Sequence, residues 1–433
     1  MAIVIIFLVM FLLMFLGMPV FVSMAVSGVC YLLGTGNGPL SMISNSMVNG
    51  LSDISLMAIP FFILVGELMN ISGMTERMLD FSMYFIGKFR GGLAHACIVV
   101  NVIFSLVSGS GPADAAAISP VLLPRMKKEG YPEEFSAALN AAAAVLGPII
   151  PPGIPMVFLA LITNLSIGRL FFGALIPGLI MAGSMHLIVL FAARKMDLKI
   201  DKGGAEEGGE SFLSVLKKAV LSLIAPVIII VGVLTGMATV TEIAILACAY
   251  VLLIGGFVYR TISFKAMYQV FCKMALFSAI IMALFTVADI FSYIIAVEGL
   301  SNQLVALIER YHISPTVFLL AINIFFLFLG MIMDATPAML IFGPVLLPLA
   351  NQLGIDSIHF GMIMICNLMI GLITPPVGAL LFIESKLSGI SFERITKAVL
   401  PFVAALLVCQ LLITYIPWTV TWLPNLIFGT GGG

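Results

Sequence analysis

A chain of 433 residues that is 61% hydrophobic and only 9% charged is not a soluble globular domain, in which about 25% of residues carry charge. Its mean hydropathy of +1.20 marks a polytopic membrane protein and excludes a secreted disulfide framework, a nucleic-acid binder and a disordered chain. A β-barrel is excluded as well: apolar runs such as Met1–Leu16 lack the polar residue that a lumen face needs at every second position. The net charge of −1 says nothing about partners.

In chain order, Met1–Leu16 comes first. The first Lys or Arg is Arg77, so this run lacks the positive region of a signal peptide and reads as a retained spanning helix. Further apolar segments follow near 20–35, 54–71, 93–107, 113–124, 135–163, 170–192, 219–237, 239–258, 271–297, 315–330, 337–350, 357–387 and 397–420. Residues 194–218, containing DKGGAEEGGE, form a flexible linker. Residues 93–107 make about 22 Å of helix, against an apolar bilayer core of about 30 Å. Between them and 113–124 lies Ser108-Gly109-Ser110-Gly111-Pro112-Ala113, a turn through which no helix continues. With Lys88–Arg90 and Arg125–Lys128 at the two ends, the pair reads as a re-entrant hairpin. Residues 315–350 form a second, with its tip at Gly330–Pro337. Two other segments are long but broken, by Gly147–Pro155 and by Gly371–Gly378. Mid-membrane prolines strand carbonyls one turn back, which a bilayer tolerates only where protein or a cavity surrounds them.

The halves repeat. Pro120-Val121-Leu122-Leu123-Pro124 recurs at Pro344–Pro348, and Pro151-Pro152 at Pro375-Pro376, both shifted by 224 residues. Weaker echoes place Gly17-Met18 against Gly236-Met237 and Gly73-Met74 against Gly299-Leu300. Such self-similarity marks duplication, with residues 1–193 as the first repeat, 194–218 as the linker and 219–433 as the second. With the linker in the cytoplasm, only Arg169 and Arg310 of the 20 basic residues fall outside. The hairpins then open to opposite sides, the repeats are inverted, and both termini are periplasmic.

Inverted repeats that each carry a hairpin and a broken helix are the pattern of a secondary transporter. Helix ends at mid-membrane aim partial charge at one spot. The carbonyls expected to be released are those of Gly147, Pro148, Gly371 and Leu372, facing tips that hold Ser108, Ser110, Asp334 and Thr336. An oxygen-only set suits Na⁺ rather than a transition metal, and the Ser-Gly-Ser-Gly-Pro tip could also nest an anion. The ionisable residues within spans are Glu67, Asp114, Glu242, Asp289, Asp334 and Glu384. Asp114 and Asp334 read either as ligands or as helix caps. Glu67, Glu242 and Glu384 read as interfacial groups near helix ends. Asn101 and Asn323 read as interhelical hydrogen bonders. His95, His186, His312 and His359 show no metal-ligand spacing, with His359 at a loop edge, and the six cysteines read as apolar fillers. No nucleophile–base pair indicates an enzyme.

At Ala58-Ile59-Pro60-Phe61-Phe62, Gly66-Glu67-Leu68-Met69-Asn70, Ser108–Asp114, Gly147–Pro155, Gly330–Pro337 and Gly371–Gly378 the chain resembles the large membrane subunit of tripartite ATP-independent periplasmic (TRAP) transporters, over its whole length. The resemblance implies an all-α, elevator-type Na⁺ symporter in a bacterial inner membrane. It would import an organic anion such as sialic acid or a dicarboxylate, with a small four-helix membrane subunit and a soluble periplasmic substrate-binding protein as partners. A stand-alone sodium/dicarboxylate-type carrier shares the architecture. By the resemblance, one Na⁺ lies between Ser108, Gly109 and Ser110 and the break at Gly147, Ile150 and Pro151. A second lies between Gly330, Asp334 and Thr336 and the break at Gly371 and Thr374. The substrate carboxylate sits near Ser108, Gly153 and Asp334. Many members carry Pro-Pro-Ser where this chain has Pro151-Pro152-Gly153, so a side-chain hydroxyl is missing there. Residues 93–163 and 315–387 are expected to move as one body against a scaffold of 20–71, 170–192, 219–297 and 397–420.

Overall fold

The computed structural model describes residues 2–36, 43–45, 48, 54–78, 81, 91–196, 212–235 and 238–429. Lys88–Arg90, most of the central linker and Gly236-Met237 lie outside the described residues. All regular structure among those described is helical. Helices α1 (Ala2–Phe15), α2 (Val20–Thr35) and α3 (Ala58–Ile71) come first. At 14 residues, the described part of α1 is about 21 Å long.

Next come α4 (Gly92–Ser108) and α5 (Gly111–Lys128). α4 stops because Gly109 turns left-handed, φ 57°, and donates its N–H to Ser105 O, a conformation that favours glycine. α5 restarts from an extended Ser110 with Pro112 in its first turn, where a missing N–H is harmless. α6 (Glu133–Ala144) and α7 (Ile154–Thr163) are the two halves of one broken helix. α8 (Ile167–Lys195), α9 (Phe212–Thr235), α10 (Val240–Leu253) and α11 (Phe264–Val297) lead to α12 (Leu300–Tyr311). The second hairpin is α13 (Pro315–Ile332) and α14 (Ala335–Gln352), and the second broken helix is α15 (Ser357–Gly371) and α16 (Ala379–Ser388). α17 (Phe392–Tyr415) and α18 (Trp418–Phe428) complete the described chain.

α8, α11, α13 and α17, together with residues 240–258, are long and apolar enough to cross a membrane. α11, with 34 residues, reaches about 51 Å, so it must tilt or protrude. Exposed Leu8, Phe191, Phe257, Phe264 and Phe328 are natural on a lipid-facing surface and would not be on a water-facing one. The centre is formed by α6 and α15, every residue of which is buried from Phe135 to Ala144 and from Ile358 to Gly371. The second halves of the broken helices cross over: α7 packs on α14, and α16 packs on α5 and α6. Each half of the chain thereby completes the surroundings of the other.

The sequence reading missed α12. Its Ser, Asn, Gln, Glu and Arg side chains interrupt the apolar run by which a span is recognised. Gly330 also differs from expectation. It lies inside α13, and the tip of the second hairpin is Met333-Asp334.

Candidate functional site at the hairpin tips

The first tip is locked onto its broken helix. Ile154 N–H donates to Gly109 O at 3.2 Å, tying the tip to the start of α7. A side-chain carbon at Gly109 would lie 2.5 Å from Pro152 O, and one at Gly111 would lie 2.8 Å from Ala144 O. Glycine is therefore what lets backbone meet backbone here. Ser108 Oγ donates to Asp114 Oδ1 and also receives Ser110 N–H at 3.2 Å. Asp114 is fully buried, and its Oδ2 has no hydrogen-bond partner. That oxygen sits against Gly147, where any Cβ would collide with it. The expected set Ser108, Gly109, Ser110 and Gly147 is thus brought together, with Asp114 added. Ile150 and Pro151 lie in the same buried break, and Ile150 N–H donates to Leu146 O at 2.8 Å. Among the described residues no backbone N–H reaches Gly147 O or Pro148 O.

Gly153 has no room for a side chain, since a Cβ would run into Pro148 O and come within 2.6 Å of Met156 Cε. The glycine is a packing requirement of this backbone, beyond the loss of a hydroxyl. Both proline pairs, Pro151-Pro152 and Pro375-Pro376, have cis peptide bonds.

The second tip is more open. Asp334 is exposed and accepts Ala335 N–H at 2.6 Å, a capping contact, and Thr336 is half-buried beside it. Gly330 meets the second break, as expected, but through packing: a Cβ at Gly371 would lie 2.5 Å from Gly330 C and Cα. The expectation that Gly371 and Leu372 carbonyls are stranded is corrected. Gly371 O accepts Thr374 N–H and Leu372 O accepts Leu380 N–H, both at 3.0 Å. Residues on either side of the prolines supply the missing donors. Thr374 Oγ1 donates to Ile370 O at 2.7 Å.

Beneath each tip lies a buried amide pair. Asn101 Nδ2 donates to Asn140 Oδ1 at 3.1 Å, and Asn367 Nδ2 donates to Asn323 Oδ1 at 2.8 Å, so both predicted asparagines bridge helices. Glu384 overturns its reading as an interfacial group. It is fully buried and accepts from Ser119 Oγ at 2.6 Å and Asn140 Nδ2 at 2.7 Å. His359 is likewise buried and bonds Ile413 O through Nε2 at 2.9 Å, so it belongs to the α15–α17 contact and not to a loop edge. His95 and His186 bring their Nδ1 atoms within 2.8 Å, a contact that no sequence spacing signals. Glu67 pairs with Lys273 at 2.5 Å, and Glu242 completes a capping box with Thr239. Asp289 is half-buried. Cys97, Cys248, Cys366 and Cys409 are buried fillers, whereas Cys30 and Cys272 are exposed.

Paired helical hairpins meeting paired broken helices inside an apolar helical body define a multi-pass membrane transporter. Two solved transporters share that fold. The YdaH transporter of Alcanivorax borkumensis superposes with a TM-score of 0.61 at 14% identity, covering 88% of each chain. MtrF of Neisseria gonorrhoeae gives 0.57 at 13% identity, covering 90% of this chain and 84% of that one. The chain belongs to the tripartite ATP-independent periplasmic transporters as a DctM component, the family model matching residues 7–419. It is similar to the sialic acid TRAP transporter large permease SiaM of Vibrio cholerae, 34% identical over 96% of this chain and 97% of that one. The C4-dicarboxylate large permease DctM of the same organism is 33% identical over 99% of each chain. The 2,3-diketo-L-gulonate large permease YiaN of Escherichia coli is 33% identical over 93% of this chain and 94% of that one. The protein is a transporter component and not an enzyme.

Proposed function

We propose that this chain is the transport subunit of a Na⁺-coupled importer of a small organic anion in a bacterial inner membrane. A soluble binding protein delivers the anion on the periplasmic side, where both termini lie, and a small membrane subunit packs on the scaffold. The observation that carries the reading is the unpartnered, fully buried Asp114 Oδ2 facing the break at Gly147. A carboxylate oxygen in that position needs a cation or a donor, and Ser108 Oγ on the same carboxyl, with the carbonyls of Gly147 and Pro148 in the adjoining break, are hard oxygen ligands. The residues therefore fit Na⁺ at the first tip. At the second, Gly371 O and Thr374 Oγ1 each retain lone pairs, and Asp334 lies at the open end. The anion is placed between the tips, near Ser108, Gly153 and Asp334. The relatives' named substrates (sialic acid, C4-dicarboxylates, diketogulonate) set the panel to test.

The test is uptake into proteoliposomes holding this chain and its small subunit, with the binding protein added outside. Uptake of one panel anion should collapse when Na⁺ is replaced by K⁺ or choline; uptake that persists undiminished without Na⁺ would sink the coupling. We further propose inverted repeats that alternate access by an elevator motion of residues 93–163 and 315–387. Dismantling the tips in each cycle would leave backbone carbonyls bare at several kcal/mol each, whereas rigid motion keeps them satisfied. The His95–His186 contact joins α4 of that body to α8 of the scaffold. A double variant, His95→Cys with His186→Cys, should therefore cross-link less when Na⁺ and substrate shift the body, and its cross-linked form should not transport. Ligand-insensitive cross-linking with full activity would instead favour a fixed pathway.

A further inference from the structure

The Glu384 carboxyl is not part of either tip. It sits on α16, in the second half of the chain, yet both of its partners belong to the first half. Oε2 is 2.6 Å from Ser119 Oγ of α5 and Oε1 is 2.7 Å from Asn140 Nδ2 of α6. Asn140 Nδ2 also reaches Ser119 Oγ at 2.9 Å, while Asn140 Oδ1 accepts from Asn101 Nδ2 at 3.1 Å and from Cys97 Sγ at 3.4 Å. The result is a closed polar cluster with no water-facing member: Cys97, Asn101, Ser119, Asn140 and Glu384 are all buried.

No positive charge answers this carboxyl. Among the described residues no Lys, Arg or His pairs with it. Cys97 of α4 lies behind Asn140, and on α5, which packs against α16, Asp114 is bonded to Ser108. Arg125, Lys127 and Lys128 lie at the exposed end of α5, and Glu133 and Glu134 in the first turn of α6 pair with Lys127 and Arg394. Glu393, Arg394 and Lys397 of α17 are exposed, as is Lys386 of α16 itself.

An uncompensated carboxylate at such a place costs several kcal/mol. A metal cation fits poorly, because both oxygens are already in direct contact with a hydroxyl and an amide N–H₂, leaving no gap for an ion and no cage of oxygens. A proton can be held there. A protonated Oε2 donates to Ser119 Oγ, reversing the hydroxyl's own donation, while Oε1 accepts from Asn140 Nδ2, so both carboxyl oxygens stay partnered without a buried charge.

We propose that Glu384 is a proton-binding site inside the transport body. It takes a proton from water to become a neutral carboxylic acid that fastens α16 to α5 and α6, and releasing that proton to water leaves a buried charge that loosens the junction. This role in transport rests on the transporter reading given above; the proton site itself does not.

Two measurements on the full chain test it. In lipid nanodiscs, a pH-difference infrared spectrum should show the carbonyl stretch of a protonated carboxylic acid, absent in Glu384→Gln and moved in Ser119→Ala, which removes one hydrogen-bond partner. That readout holds even for a preparation that transports nothing, so it separates failure of the proton site from failure of the transport reading. In proteoliposomes at saturating Na⁺, wild-type uptake should fall several-fold from acid to alkaline pH. Glu384→Gln keeps a donor and an acceptor in place, so it should transport with a flat profile. A carboxylic-acid band that survives Glu384→Gln unchanged, or a Gln variant with the wild-type pH profile, overturns the proposal.

Discussion

The two hairpins share a proline pattern, yet they are held in different ways. The first tip is closed on its break: Gly109 O is bonded to Ile154 N–H, and Ser108 and Asp114 are buried beneath. The second is joined to its break further down, by the backbone-to-backbone approach of Gly330 and Gly371, while Asp334 at the tip stands exposed. The polar clusters below them differ too. The first hangs on a single hub, Asn140, which serves Asn101, Ser119 and Glu384. In the second, Asn323 Oδ1 receives Asn367 Nδ2, Gln410 Nε2 and Thr414 Oγ1, so no single donor is indispensable. A shared sequence pattern thus fixes where the chain turns and breaks, and the side chains around it decide how firmly each tip is held. Under the proposed inverted-repeat mechanism, the open second tip is the one free to admit or release substrate.

The largest stability contrast should come from glycine. In Gly371→Ala the new methyl meets the backbone of Gly330 at 2.5 Å. Backbone cannot swing aside, so α13 and α15 must separate, at a cost of about 3 kcal/mol or more. In Gly147→Ala the obstacle is the Asp114 side chain, which can rotate away, and the cost should be nearer ~1 kcal/mol. Thermal melting in detergent compares the two. Equal losses would mean that the first break is as rigid as the second.

Much of this was legible in the residues. Proline pairs, glycine-rich tips and the interrupted apolar runs located both hairpins and both breaks, because those residues act locally on backbone conformation. Two other features depend on distant chain, and a third on how the break folds back on itself. Glu384 looked interfacial because its position, one turn from the end of α16, is all that the sequence displays; its partners lie 265 and 244 residues away. Gly330 looked like a turn because glycine breaks isolated helices, yet here it is kept for the approach of α15 while the helix runs on through it. The carbonyls of Gly371 and Leu372 looked stranded because the prolines remove donors, whereas Thr374 and Leu380 bring donors back. In the first tip, Asp114 was equally a ligand or a cap on paper, and only burial of its free oxygen distinguishes it from Asp334.

The next contrast is hub against shared load. Asn140→Ala removes the donor to Glu384 Oε1 and the acceptor for Asn101 Nδ2, although Asn101 keeps its bond to Cys97 O at 2.8 Å. Leaving a buried carboxyl oxygen unpaired sets the loss at about 2 kcal/mol. Asn367→Ala leaves Asn323 Oδ1 with two other donors, and the loss should be about 0.6 kcal/mol, the scale of one interhelical hydrogen bond in lipid. If Asn367→Ala proves as costly as Asn140→Ala, the second cluster is not redundant and the distinction fails.

A small stability effect is also expected at the exposed tip itself, in Asp334→Ala. The carboxylate makes one contact that the fold needs, the cap to Ala335 N–H at 2.6 Å. Losing an N-cap costs ~1 kcal/mol, so melting should move little. Transport is the other axis. If Asp334 meets Na⁺ or the anion, as proposed, uptake falls to background while the variant remains folded and inserted. A cap alone predicts the reverse pairing, a slightly lower melting temperature with near-normal uptake. Asp334→Asn refines the result: asparagine still caps, so it should restore the melting temperature, but it lacks the charge and should leave uptake at background. Recovery of uptake in Asp334→Asn would assign the residue to capping, and the open tip would then act through its backbone rather than through its one exposed carboxylate.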